Sequence, residues 1–78
     1  MKIKMFEMNP EFDKKRQEAN REIVKRITEV IEKHPEQRFV QILWGLGIIS
    51  SNVDGEILDR FYEEPWITLT RVENNYEK

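Results

Sequence analysis

The sequence predicts a small, mainly α-helical protein with three helices in a single domain. Apolar residues recur at three- and four-residue steps along residues 10–33, which is the spacing of one helix face. Residues 36–46 are apolar nearly all round, and a third apolar pattern begins at Pro65. With 78 residues and no cysteine, the chain has length for one small core and no disulfide to support it.

The first helix is expected over residues 10–33, with one apolar face and one charged face. Asn9 is a favourable N-cap, and Pro10 suits the first helical position because it has no N–H to leave unpaired. Pro35 ends the helix because a residue before proline is driven out of the α region. The apolar stripe consists of Phe12, Ala19, Ile23, Ile27, Val30 and His34, widened by Val24 and Ile31. Such an amphipathic helix must pack against another element.

The second helix is expected over residues 36–46 and to be buried, because a helix that is apolar all round is typical of a core. Gly45 and Gly47 lie near its end, where glycine is a common C-cap. Residues 48–58 contain two short apolar runs around Asp54-Gly55, a pattern that fits either a loop or a small hairpin.

The last helix is expected to begin near Pro65 and to complete a domain over residues 10–76. The residues expected on its inner face are Trp66, Leu69, Val72 and Tyr76, and those expected on its outer face are Thr68, Arg71 and Asn75. Met1, Ile3 and Met5 alternate with Lys2 and Lys4, which predicts an N-terminal arm or a short strand over residues 1–9. Residues 77–78 are expected to be a frayed tail.

The composition predicts a cytoplasmic, soluble protein with a modest asymmetry of charge between its two halves. Residues 1–34 hold nine Lys or Arg against seven Asp or Glu, whereas residues 35–78 hold four against eight. No apolar run is long enough for a membrane span, and the N-terminus lacks the apolar core of a signal peptide. The absence of cysteine fits a reducing compartment.

No constellation of residues predicts an enzyme, a cofactor or a metal site. The single histidine, His34, lies at a helix end, where an imidazole most simply caps carbonyl groups. Gly45-Leu46-Gly47 lacks the further glycine and lysine of a phosphate-binding loop. A calcium loop aligned on Gly55 would have Ser50 and Phe61 at the positions of two strong carboxylate ligands. The acidic residues of this stretch are therefore expected to be solvated or to contact a basic partner.

Two sets of residues are candidates for binding. The partner-binding set combines the polar side of the second helix with the acidic-aromatic stretch: Arg38, Gln41, Asp54, Glu56, Asp59, Tyr62, Glu63 and Glu64. Arg38, Gln41 and Gly45 form either the narrow solvent face of the second helix or a strip that faces a partner, in which case Arg38 pairs with Glu63, Glu64 or an acid of the partner. Tyr62 is expected to be exposed, while Phe61 and Trp66 are expected to lie in the core. The alternative, nucleic-acid-binding set is the basic side of the first helix: Lys14, Lys15, Arg16, Arg21, Lys25 and Arg26.

Two short motifs carry a resemblance to a known family. The motifs are Arg38-Phe39-Val40-Gln41-Ile42-Leu43-Trp44-Gly45-Leu46-Gly47 and Asp59-Arg60-Phe61-Tyr62-Glu63-Glu64-Pro65. Over roughly residues 20–75 the chain resembles small uncharacterised proteins of tailed bacteriophages and prophages. It differs in having Val40 where glycine is common and Arg60 where proline is common. The resemblance implies a phage origin and a helical fold, with no catalytic residues to transfer.

Together these observations predict a small phage-encoded protein that binds and modulates a host protein, such as a defence or nucleic-acid-processing complex. Contact would be made through the acidic-aromatic surface. The alternative is a dimeric nucleic-acid-binding regulator that uses the basic side of the first helix, although a pI near 5.4 argues against phosphate contacts as the main activity. Self-association is expected through residues 1–8 or through antiparallel packing of the first helices.

Overall fold

The computed structural model describes residues 10–76, which form three helices: α1 (Pro10–Lys33), α2 (Phe39–Gly45) and α3 (Pro65–Asn75). The prediction of a mainly helical chain with a long first helix is confirmed. The predicted arm at residues 1–9 and the predicted tail at residues 77–78 lie outside the described residues. Within the described part, no helix is both long and apolar enough to cross a lipid bilayer.

Helix α1 begins and ends where the sequence predicts, and α3 packs along it in the same direction. Near the start of both helices, Arg16 donates two hydrogen bonds of 2.8 Å to the carboxylate of Glu64. Near the end of both, the Tyr76 hydroxyl donates a hydrogen bond of 2.6 Å to Glu29. The N-terminal part of α1 contacts the N-terminal part of α3, and the C-terminal part of α1 contacts the C-terminal part of α3. The two helices therefore run roughly parallel.

The core lies where α2 meets α1 and α3. Its buried side chains are Ile42, Leu46 and Val72, of which Val72 is fully buried. Partly buried apolar residues surround them: Ile27, Val30, Ile48 and Tyr76. The one buried residue of helix α1, Ala19, lies nearer the N-terminus of that helix than Ile27 and Val30. The core is therefore small, as the length of the chain requires.

Helix α2 is shorter and more exposed than the sequence predicts. The chain after α1 makes a turn in which the Gln37 N–H donates to the His34 carbonyl, so the helix begins at Phe39 rather than at residue 36. Ile42 and Leu46 are buried, as predicted. Three other apolar residues are about half exposed or more: Phe39, Val40 and Trp44. The physical reason is that two turns of helix contact the rest of residues 10–76 along one side only, so the opposite apolar side has no neighbour among these residues.

Residues 48–58 form a small irregular hairpin, which decides between the two alternatives that the sequence leaves open. One antiparallel bridge joins Ser51 and Ile57. The Asn52 side chain shapes the turn by accepting hydrogen bonds of 2.9 and 3.0 Å from the N–H groups of Asp54 and Glu56. Gly55 has a φ of 86°, a left-handed conformation that glycine adopts readily.

Candidate protein-interaction surface

The chain between the hairpin and α3 exposes large apolar side chains next to acidic ones. Val53 at the hairpin tip is fully exposed, and Phe61 and Tyr62 are 81% and 91% exposed. The two aromatic rings touch edge to face, with centroids 5.0 Å apart. The residues of this acidic-aromatic segment, 53–62, that face solvent are Val53, Asp54, Glu56, Ile57, Leu58, Asp59, Phe61 and Tyr62. The exposure predicted for Tyr62 is confirmed.

The prediction that Phe61 lies in the core is wrong, and a tight turn is the cause. The Phe61 N–H donates to the side chain of Asp59 at 2.9 Å, and the Glu63 N–H donates to the Arg60 carbonyl at 2.9 Å. These bonds close the chain around Phe61 and Tyr62, which occupy the middle of the turn. Arg60 and Glu63, at its two ends, take the partly buried positions instead.

Three acids of the predicted partner-binding set are exposed. Asp54, Glu56 and Asp59 all face solvent. Asp59 uses one carboxylate oxygen to hold the turn, whereas among residues 10–76 neither Asp54 nor Glu56 forms an ion pair with a basic side chain. Their negative charge is therefore available to a basic partner.

Glu63 is partly buried, and its carboxylate is bound by other residues of the fold. Its side chain is 16% exposed, and Arg71 binds both carboxylate oxygens, at 2.5 and 3.0 Å. The Thr68 hydroxyl donates a further bond of 2.6 Å. The hydrogen bonds from Arg71, more than any other cause, lower the pKa of Glu63 to about 2, against the opposing effect of burial. The expectation that Thr68 and Arg71 face outward is wrong, because both turn toward this carboxylate.

The remaining contacts of Arg71 connect Glu63 to the end of α2. Arg71 Nε donates a bond of 2.7 Å to the Gly47 carbonyl, and Arg60 donates to the same oxygen at 3.4 Å. No sequence motif marks this cluster. One sequence feature is consistent with it: Thr68 and Arg71 are three residues apart, so their side chains lie one turn apart on α3 and both can reach Glu63.

Glu64 is also bound within the chain, by Arg16 of α1. The two hydrogen bonds from Arg16 lower the pKa of Glu64 below its ordinary range. Neither Glu63 nor Glu64 pairs with Arg38, so the two pairings predicted within the chain are wrong, whereas a pairing of Arg38 with an acid of a partner stays a prediction. Arg38 instead donates its backbone N–H to the Gln41 side chain at 2.8 Å. This contact caps the start of α2 and accounts for the spacing of Arg38 and Gln41 by local structure alone.

The basic residues of α1 do not form one open face. Lys14, Arg21 and Lys25 are exposed, and so is Lys15, whose ammonium group lies 4.1 Å from the centre of the Trp66 ring. Arg16 is held by Glu64, as described above. Arg26 lies within 3.3 Å of three carboxylates, those of Glu22, Glu29 and Glu73.

The hydrogen bonds from Arg26 change the pKa values of the groups that they join. Those to Glu29 and Glu73 raise the pKa of the arginine. The Tyr76 hydroxyl and Arg26 together lower the pKa of Glu29. Two of the six predicted nucleic-acid-binding side chains therefore serve to join α1 to α3.

An open groove of about 610 Å³ adjoins the acidic-aromatic segment. Phe61 and Tyr62 line it together with the apolar residues Ile23 and Ile48 and with the ion-paired side chains of Arg16, Glu63 and Glu64. Such a groove can accept an apolar side chain from a partner that contacts the two aromatic rings. In the described part of the chain, no group of three or more His, Asp or Glu side chains is placed to hold a metal ion.

Comparisons with protein-family models, with curated proteins and with solved structures found no match to this chain.

Proposed function

We propose that the protein is a small interaction module that binds a basic surface of another protein through the acidic-aromatic segment, residues 53–62. The exposure of two adjacent large aromatic rings, Phe61 and Tyr62, carries this proposal. Large aromatic residues dominate the energetics of protein interfaces. An exposed apolar patch on a small protein marks a contact site more often than it serves the fold.

The charge of the segment supports a basic partner. Asp54 and Glu56 are exposed, and in the described residues neither carries an ion pair. Exposed carboxylates around an apolar centre attract a complementary surface and raise the rate of encounter more than the final affinity. The expected partner therefore presents Lys or Arg around an apolar side chain that fits against Phe61 and Tyr62.

The chain is anchored on both sides of the aromatic pair, at Arg60 and at Glu63, which supports binding with little ordering cost. Arg60 and Arg71 both bond to the Gly47 carbonyl, and Arg71 also holds Glu63. Because the backbone on either side of the aromatic pair is already tied to α2 and α3, little conformational entropy is lost when a partner binds. The narrower proposal, a phage protein that modulates a host defence or nucleic-acid-processing complex, rests on the sequence resemblance alone.

Capture from a bacterial host lysate tests this proposal with matched variants. The variant Phe61→Ala/Tyr62→Ala removes the aromatic pair, and Asp54→Asn/Glu56→Gln removes two charges. The control Glu11→Gln/Glu18→Gln removes two charges from exposed positions of α1. We expect wild type and control to retain the same protein, the aromatic variant to lose it, and the charge variant to retain less of it. Retention that is equal for all four proteins would contradict the proposal.

A further inference from the structure

The outer side of α2 is an apolar surface that nothing in the described chain covers. Val40 and Trp44 lie one turn apart, and Phe39 lies beside them; their exposed fractions are 61%, 46% and 56%. The helix consists of Phe-Val-Gln-Ile-Leu-Trp-Gly and carries no charged side chain. This surface therefore differs in kind from the acidic-aromatic segment, because it is electrically neutral.

Gly45, next to Trp44, has no role within the chain that requires glycine. Its φ does not lie in the left-handed region that Gly47 and Gly55 occupy. A Cβ added at Gly45 would meet nothing within 4 Å. Gly45 lines a cleft of about 190 Å³, together with apolar residues (Val30, Ile42 and Leu46) and polar ones that include Lys33, His34 and Gln37. The missing side chain keeps this cleft open beside an exposed tryptophan.

We propose that a second copy of the chain covers this surface, with the two α2 helices antiparallel and Trp44 of each copy entering the cleft beside Gly45 of the other. A projecting side chain and an opening on the same short helix satisfy the main requirement of a twofold interface, in which every contact occurs twice. Helix α2 itself carries no charged side chain, so two copies of it meet without charge repulsion. The negative charges of the acidic-aromatic segment would repel those of a second copy. A second copy is therefore expected to bind at α2 and not at that segment.

The exposed area sets the expected strength of this dimer. Phe39 and Trp44 each leave about 100 Å² in contact with water, since an aromatic side chain buries about 200 Å² in full. Stable interfaces bury about 800 Å² on each partner. The outer side of α2 supplies the centre of a smaller interface, and we expect a dimer with a Kd in the micromolar range.

Sedimentation equilibrium of the full chain, from about 5 to 500 µM, tests the dimer. Wild type is expected to shift from the 9.5 kDa monomer toward twice that mass. Trp44→Ala removes the projecting side chain and Gly45→Leu fills the cleft, so each is expected to raise the Kd about tenfold or more. The control Phe61→Ala removes an aromatic ring that is more exposed than Trp44 but lies on the other surface, and it should leave the Kd unchanged.

The Gly45→Leu variant is expected to fold like wild type, because open space surrounds Gly45 and leucine is the better helix former. A weaker dimer of this variant would therefore not be due to unfolding. Its circular dichroism should match that of wild type while its dimer weakens. Wild type that stays at 9.5 kDa throughout would overturn the proposal, and so would a dimer that is unaffected by both α2 variants. The result does not depend on the function proposed for the acidic-aromatic segment, which these two variants leave intact.

Discussion

Glu63 and Glu56 are acids seven positions apart in an acidic stretch, yet their surroundings are opposite. Glu56 is exposed, whereas Glu63 accepts three hydrogen bonds from Arg71 and Thr68 and has a pKa of about 2. Bonds to an ionised carboxylate from a guanidinium are stronger than neutral hydrogen bonds. The Glu63 carboxylate therefore stabilises the folded state as long as it stays ionised.

The pH dependence of stability should report this contribution. The pKa of Glu63 falls from an ordinary value of 4.5 to about 2 on folding, so its contribution is complete above about pH 5 and is lost as the pH falls toward 2. Glu63→Gln should lower the free energy of unfolding at pH 7 by about 1–2 kcal/mol, and the difference from wild type should shrink below pH 4. Urea unfolding at several pH values measures both effects. Glu56→Gln is the matched control, and an equal loss in the two variants would contradict this account.

At the junction between α2 and α3, neighbouring side chains leave little room for any residue larger than glycine at position 47. Gly47 follows α2 with a φ of 78°, and an added Cβ would lie 2.9 Å from the Asn75 side chain and 3.0 Å from that of Arg71. The same turn presents the carbonyl that Arg71 bonds. At this position conformation and close packing both require glycine.

Alanine substitutions at two glycines should separate these requirements. Gly55 also has a positive φ, of 86°, but an added Cβ would meet nothing within 4 Å. We expect Gly55→Ala to cost about 1 kcal/mol through backbone strain, and Gly47→Ala to cost about 2–3 kcal/mol because the close contacts add to that strain. Thermal unfolding measures the two losses. Equal losses would show that the neighbours of Gly47 move aside freely.

The balance of charge over the whole molecule favours a protein partner over nucleic acid. The chain has a net charge of −2, and Arg16 and Arg26 are bound to carboxylates of the same chain. Binding to phosphate requires several free basic groups and weakens steeply with salt. We expect no mobility shift of duplex or single-stranded DNA at low salt with micromolar protein. A shift that disappears with added salt and with Lys14→Ala/Arg21→Ala/Lys25→Ala would favour the alternative function instead.

The sequence by itself determined α1, the start of α3 and the turn at Asp54-Gly55, because these depend on local chemistry: a proline at a helix start, apolar spacing and a glycine that enters a left-handed turn. Only the tertiary structure decided which acids remain available. Glu64 meets an arginine 48 positions away, and no local pattern encodes such a partner. It also decided that Phe61 faces solvent and that no other part of residues 10–76 covers one side of α2. Burial depends on which elements pack together and not on how apolar a segment is.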